Sequence, residues 1–221
     1  MGAVDIHVPL IVKHIDFFPA SFKLKIHEKV LYIDPVIVEE EEPADYILIT
    51  HSHQDHFSVP NIRRLLKTET TVICPENVYK KLYTALKGST IKKTKPGDSM
   101  DFDEITIESV EAYNVSAGIT PHPKSAMNVG YIITSGNDRL YHAGDTDYTL
   151  EMQKLQNIST VLTPIDGGNL TMTTEKAAEF INDLKPRFVV PMHYNIGSAE
   201  VEHFKKLVNR DTQVITMDGE E

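Results

Sequence analysis

His51-Ser52-His53-Gln54-Asp55-His56 packs three histidines and one aspartate into six residues. The run before it, Tyr46-Ile47-Leu48-Ile49-Thr50, reads as a strand. Imidazole and carboxylate ligands suit zinc, iron or manganese better than calcium. His51 and His53 are two apart, so in an extended loop they point the same way. Asp55 and His56 are adjacent and are expected to diverge, which one ion would use poorly. Two ions side by side would use all four groups, with a water activated between them. A loop at the end of a rigid strand is also where chemistry tends to sit.

The pattern His51-x-His53-x-Asp55-His56 resembles the signature of the metallo-β-lactamase-fold hydrolases. Further ligand-type residues follow in the order that resemblance implies. His122 comes after the strand-like 105–113. Asp145 lies in Tyr141-His142-Ala143-Gly144-Asp145-Thr146-Asp147, and His193 in Val189-Val190-Pro191-Met192-His193. The likeness runs from Ile33-Asp34-Pro35 to His193. It implies one metal on His51, His53 and His122 and another on Asp55, His56 and His193. Asp145 and a hydroxide would bridge the two, which makes Asp55 and Asp145 the catalytic carboxylates. The implied cofactors are two divalent ions, zinc first, with manganese, iron or nickel as alternatives. The redox diiron branch typically carries glutamate where His53 stands, so the implied chemistry is hydrolysis.

Ala112-Tyr113-Asn114, His122-Pro123-Lys124 and the Asp145 stretch resemble most closely a compact subfamily of metal-dependent hydrolases related to ascorbate-6-phosphate lactonase. The implied substrate is a small ester, lactone or phosphodiester. The alternatives are a nucleic-acid phosphodiesterase and a non-catalytic metal-binding or regulatory module of the same fold. Lys124, Tyr113 and Asn114 are read as substrate-binding residues, with Asn128 and Tyr194 as further neighbours. Lys124 leads, because a cation beside a metal cleft suits phosphate or carboxylate. Asp34 is read as a hydrogen-bond partner behind the metals and His142 as structural. Asp147 is a further candidate for a place behind the ligands.

The chain has 221 residues, 41% of them hydrophobic, which suits one domain over 1–221 with a sizeable core. Its formal net charge is −10, from 32 acidic and 22 basic residues. Nucleic-acid binders usually present a basic face, so that partner class is disfavoured and a small molecule is expected. Cys74 is the single cysteine, so no intrachain disulfide can form; it reads as a small buried hydrophobe. The N-terminus does not read as a signal peptide or a myristoylation site, and no run approaches a bilayer span. A cytoplasmic protein is expected, either monomeric or a homo-oligomer that closes its cleft with a neighbour.

Residues 4–33 alternate in a strand-like way and end in a hairpin about His27-Glu28-Lys29. The run 39–42 of four glutamates reads as a solvated loop. Ser58 is placed as the cap of a helix with Pro60 in its first turn. A second helix, 76–87, ends at Gly88. Strands are expected at 71–74, 105–110, 129–133, 140–142, 160–162, 188–190 and 214–216. Short helices are expected at 148–155, after Thr173 or Thr174, and after Ser198. The long aperiodic stretch 114–128 reads as a pocket wall. Strands come first and strand–helix units after, twice over. Two mixed sheets face to face, with helices outside each, would bury these runs. This four-layer αββα sandwich, an α/β fold, is also what the resemblance implies.

Overall fold

The computed structural model describes residues 4–7, 16–39, 41–115, 119–168 and 170–217. The readings of the N-terminus at 1–3, of a strand-like course through 8–15, of Glu40 and of Gly118 lie outside the described residues.

The first sheet contains β1 (Val4–His7), β3 (Phe22–Ile26), β4 (Lys29–Ile33), β5 (Tyr46–Leu48), β6 (Thr71–Pro75) and β7 (Thr90–Thr94), in that spatial order. Its first three strands are antiparallel, and pairing from β4 onward is parallel. Period-2 alternation sorts the side chains. Leu31, Ile33, Leu48 and Ile73 face one core, while Tyr32, Ile47, Val72 and Cys74 face another. The second core lies under α1 (Val59–Leu65) and α2 (Glu76–Ala85). Ser58 caps α1 by accepting from the Asn61 N–H at 3.4 Å, and Pro60 sits in its first turn. Ile62 and Leu65 are its buried stripe, each contributing about 1.5–3 kcal/mol by burial.

The second sheet runs in the spatial order β15-β13-β12-β11-β10-β9-β8. In chain order these are β8 (Ser99–Phe102), β9 (Ile105–Glu111), β10 (Val129–Ser135), β11 (Asp138–His142), β12 (Thr160–Pro164), β13 (Phe188–Met192) and β15 (Gln213–Val214). It too starts antiparallel and becomes parallel from β11 onward. On it pack α3 (Thr174–Leu184) and α4 (Glu200–Leu207), through Ala177, Phe180, Ile181, Val201 and Phe204. Between the sheets, Phe22, Leu24, Ile26 and Ile33 meet Ile107, Tyr131 and Ile133 in one continuous core. The result is the expected sandwich of two mixed sheets, with four α-helices among the described residues. A two-stranded ribbon, β2 (Phe17–Phe18) with β14 (Tyr194–Asn195), stands apart.

Several local expectations are corrected. The segment 148–155 forms only a 3-10 turn, Met152–Lys154: the Thr149 hydroxyl accepts from the Met152 N–H at its start and Leu155 ends it in extended backbone, although Tyr148, Met152 and Leu155 all pack on the main core. The residue capping α4 is Ala199, with no side-chain bond; Ser198 lies one residue earlier, its N–H closing a turn on the Asn195 carbonyl and its hydroxyl without a hydrogen-bond partner. The run 39–42 is not simply solvated: Glu41 pairs with Arg64, and Glu42 with Lys25 at 2.9 Å. Strands β8 and β14 had no sequence reading, since so few residues carry no resolvable period, whereas β2 lies within the strand-like reading of 4–33. No helix among the described residues is long and apolar enough to cross a membrane.

Candidate metal centre

The carboxyl ends of the parallel strands of both sheets converge at one edge, where ligands of open α/β sheets bind. Loop 51–56 leaves β5, Asp145 follows β11, and His193 follows β13 with a positive φ of 55°. His122 comes from the connection between β9 and β10.

Two groups of ligand atoms result, each with all its atoms within 4.8 Å of one another: His51, His53, His122 and Asp145, and Asp55, His56, Asp145 and His193. Asp145 belongs to both. Its carboxylate lies 3.1 Å from His56 Nε2, 3.4 Å from His122 Nε2, 3.5 Å from His193 Nε2 and 3.7 Å from His51 Nε2. His51 and His53 point the same way, with ring centroids 4.7 Å apart. Asp55 and His56 do not diverge as their adjacency suggests. A turn closed by the His56 N–H on the His53 carbonyl folds them toward one point, leaving 3.8 Å between Asp55 Oδ2 and His56 Nε2. His51, His56, His122, Asp145 and His193 are buried, whereas His53 and Asp55 are exposed and form the open side.

What stands behind the ligands fixes which nitrogen each presents. His56 Nδ1 donates to Asp34 Oδ2 at 2.7 Å, and Asp34 also accepts from the Thr50 N–H and hydroxyl. With its proton given to Asp34, the Thr50 hydroxyl accepts from His51 Nδ1 at 3.0 Å. His193 Nδ1 lies 3.0 Å from Asp166 Oδ1, and Asp166 in turn accepts from the Thr171 hydroxyl at 2.6 Å. Each Nε2 is thereby turned to the centre. Among the buried atoms aimed at the centre, His51 Nε2, His56 Nε2, His122 Nε2 and Asp145 Oδ1 have no hydrogen-bond partner, and behind them His193 Nδ1 meets Asp166 as an ion pair without an aligned hydrogen bond. Orphaned buried polar atoms are costly, so four converging on one point fit a cation that accepts their lone pairs. The donor set, imidazoles and carboxylates, fits a divalent transition metal.

The electrostatics agree. Burial opposes charge on His56, yet the Asp145 and Asp34 carboxylates outweigh it and hold the ring well above the usual histidine range. His193 is likewise lifted to about 10, since Asp145, Asp166 and Asp55 outweigh its burial. Burial, with neighbouring imidazoles, pushes His51 well down and His122 to about 4. Asp145 is held well below the carboxylate range, because His56 and His193 outweigh the burial that would raise it. Protons on His56 and His193 thus balance a buried carboxylate, the balance a cation supplies on displacing them.

The other expected residues are placed as follows. Asp34 is fully buried behind His56, in the role expected. Lys124 is held by Glu111 at 2.9 Å and Glu151 at 3.0 Å, and lies over the Tyr113 ring. The Tyr113 hydroxyl donates to Glu151. Both Asn114 amide atoms are engaged: Oδ1 accepts from the His122 N–H, and Nδ2 donates to the Leu170 carbonyl. The Asn128 amide stands 3.5 Å from His122 Nδ1. Asp147 accepts from the Val115 N–H, bracing the same wall. Tyr194 is buried and stacks on Phe18. His142 is buried and bonded to the Ala20 carbonyl, a structural role as expected. Cys74 is buried, its thiol pushed up to about 12 by burial. Asp166 and Thr171 were missed. The available signal was Ile165-Asp166-Gly167, an aspartate at the end of a buried strand, as in Ile33-Asp34-Pro35.

The family model described as Beta-lactamase superfamily domain matches residues 16–193. A UPF0173 protein of Pyrococcus abyssi is 34% identical over 198 residues, 86% of this chain and 88% of its own length. A UPF0173 metal-dependent hydrolase of Thermococcus onnurineus is 33% identical over 213 residues, 90% of this chain and 92% of that one. Among solved structures, a proposed metal-dependent hydrolase of Parabacteroides distasonis is similar with a TM-score of 0.80 and 30% identity, covering 92% of both chains. Igni18, a novel metallo hydrolase of Ignicoccus hospitalis, follows with a TM-score of 0.73 and 26% identity over 92% of this chain and 94% of its own. On a family match that spans most of its length and relatives that align along nearly all of it, the chain belongs to the β-lactamase superfamily, in the UPF0173 family of metal-dependent hydrolases.

Proposed function

We propose that the chain is a dinuclear metal-dependent hydrolase of a small ester, lactone or phosphodiester, acting in the cytoplasm. The observation that carries this reading is the sharing of one buried carboxylate, Asp145, between two four-residue ligand groups. His51, His53 and His122 would hold one divalent ion, Asp55, His56 and His193 the other, and Asp145 both. Zinc is the first candidate for this donor set, with manganese, iron and nickel as alternatives. Bound ions supply Lewis acidity toward a substrate oxygen and make hydroxide available near neutral pH.

The chain's own part is orientation and charge. Asp34, Thr50 and Asp166 fix the imidazoles with Nε2 inward. The Asp145 and Asp55 carboxylates offset the positive charge that two ions would concentrate. The exposed side at His53 and Asp55 admits substrate. Tyr113, Asn114 and Lys124 enter the proposal as the wall beside that opening, cross-braced to Glu151, Leu170 and His122. The relatives named metal-dependent hydrolases support hydrolysis, and the formal net charge of −10 favours a small molecule over nucleic acid.

Metal analysis of protein purified without chelator tests the reading, beside Asp145→Ala and His51→Ala. Close to two ions per chain are expected, with a loss in both variants. No metal in the purified chain and no uptake on reconstitution would sink it.

A further inference from the structure

Seven large apolar side chains are exposed among the described residues: Tyr83, Val115, Ile119, Met127, Leu150, Leu170 and Leu207. Single exposed hydrophobes are ordinary on any protein; their clustering is the informative part. Tyr83 lies on α2 and Leu207 on α4. The other five sit on loops that carry or brace the metal centre. Val115, 59% exposed, follows Asn114, whose backbone and side chain bracket His122. Ile119 is fully exposed three residues before His122. The Leu170 carbonyl accepts from the Asn114 amide at 2.9 Å, and its loop holds Asp166 beside His193. Met127 ends the turn that begins at Lys124 and precedes Asn128, next to His122. Leu150, 68% exposed, precedes Glu151, the partner of Tyr113 and Lys124.

The cation on this wall is more than offset by carboxylates. Lys124, its cation, lies between the carboxylates of Glu111 and Glu151. Lys81 belongs to a different border, donating from α2 to the Ser52 carbonyl in the ligand loop. Five side chains are also far fewer than the ~20–30 residues a side that a stable protein interface uses.

We propose that the exposed side chains of Val115, Ile119 and Leu170 form the specificity wall of the active site, taking an alkyl or aryl chain of an ester or lactone substrate. This rests on the hydrolase reading above and narrows its substrate class away from compact anionic phosphodiesters. Asn114 makes the wall ready-made, because one amide ties it to both a metal ligand and the Leu170 loop. A substrate chain lying on it would gain apolar burial at little ordering cost.

Two series of equal chain length test this on the metal-loaded full chain: p-nitrophenyl esters from acetate to octanoate, and the matching alkyl hydroxamates, whose head group chelates metal. In the wild type, kcat/KM relative to the acetate ester should rise about twofold per added methylene on such an open wall. Hydroxamate affinity, read by calorimetry, should follow the same trend. Ile119→Ser and Leu170→Ser should at least halve both slopes. Chain-length independence in both wild-type series would overturn the wall. Hydroxamate binding that tightens with length, without ester turnover, would uphold the wall and refute ester hydrolysis instead. A wild-type dimer that Ile119→Ser turns into a monomer by sedimentation would assign the patch to a second copy and overturn the proposal.

Discussion

Asp166 closes β12 and stands 3.0 Å from His193 Nδ1, held in turn by the Thr171 hydroxyl. It mirrors Asp34, which closes β4 and holds His56. Partners of this kind set the tautomer and basicity of a ligand, and their loss typically costs 10–100-fold in metal affinity. Asp166→Ala should weaken metal binding by about that factor, read by chelator competition, while the far-UV circular dichroism stays unchanged. Unchanged affinity would remove Asp166 from the site. Residue by residue, the seven donor residues of the two groups were legible because so many such groups in strand-end positions are improbable by chance. The convergence of Asp55 with His56 was implied by the resemblance but not legible in their spacing. It depends on a turn closed by one backbone hydrogen bond, which side-chain spacing does not express.

The connection from β9 to β10 is braced at its far end through Glu151. Partial burial pushes that carboxyl up, but bonds from Lys124 and Tyr113 outweigh it and hold it at about 2. A folded value below the ordinary 4.5 means the bracing stabilises the fold above pH 4.5. The contribution is lost as pH falls through about 2. Glu151→Gln should therefore flatten the acid limb of stability between those values, measured by urea denaturation across pH. An unaltered limb would dismiss the bracing. The group is partly exposed, so added salt should weaken the effect. At this scale the helices with a buried stripe and a cap, α1 and α3, could be read in advance. The segment 148–155 could not, because Tyr148, Met152 and Leu155 reach the core at helical spacing while the backbone turns only over Met152–Lys154 and leaves it extended at Leu155.

Across the whole molecule the centre joins two sheets. Loop 51–56 comes from the first, and His122, Asp145 and His193 come from the second. Tyr131 pins the sheets together just beneath, its hydroxyl donating to the Ile49 carbonyl at 2.8 Å. A cation held across that seam binds only the folded chain. It stabilises by roughly 4 kcal/mol at a thousandfold excess over its dissociation constant. Zinc should thus raise the melting temperature and chelator lower it, with most of the shift absent in Asp145→Ala. Identical melting with and without metal would contradict a centre spanning both sheets. The sequence by itself determined the ligand types, their order along the chain and the twofold strand-then-helix rhythm. Periodicity and donor chemistry are local properties, so these are written in neighbouring letters. The sharing of Asp145 by two ligand groups was implied by the resemblance; only the tertiary structure decided that Asp166 backs His193. It also decided that Lys124 is neutralised and that Asn114 braces two loops. Each of those facts is a distance between residues far apart in the chain, set by how the two sheets pack.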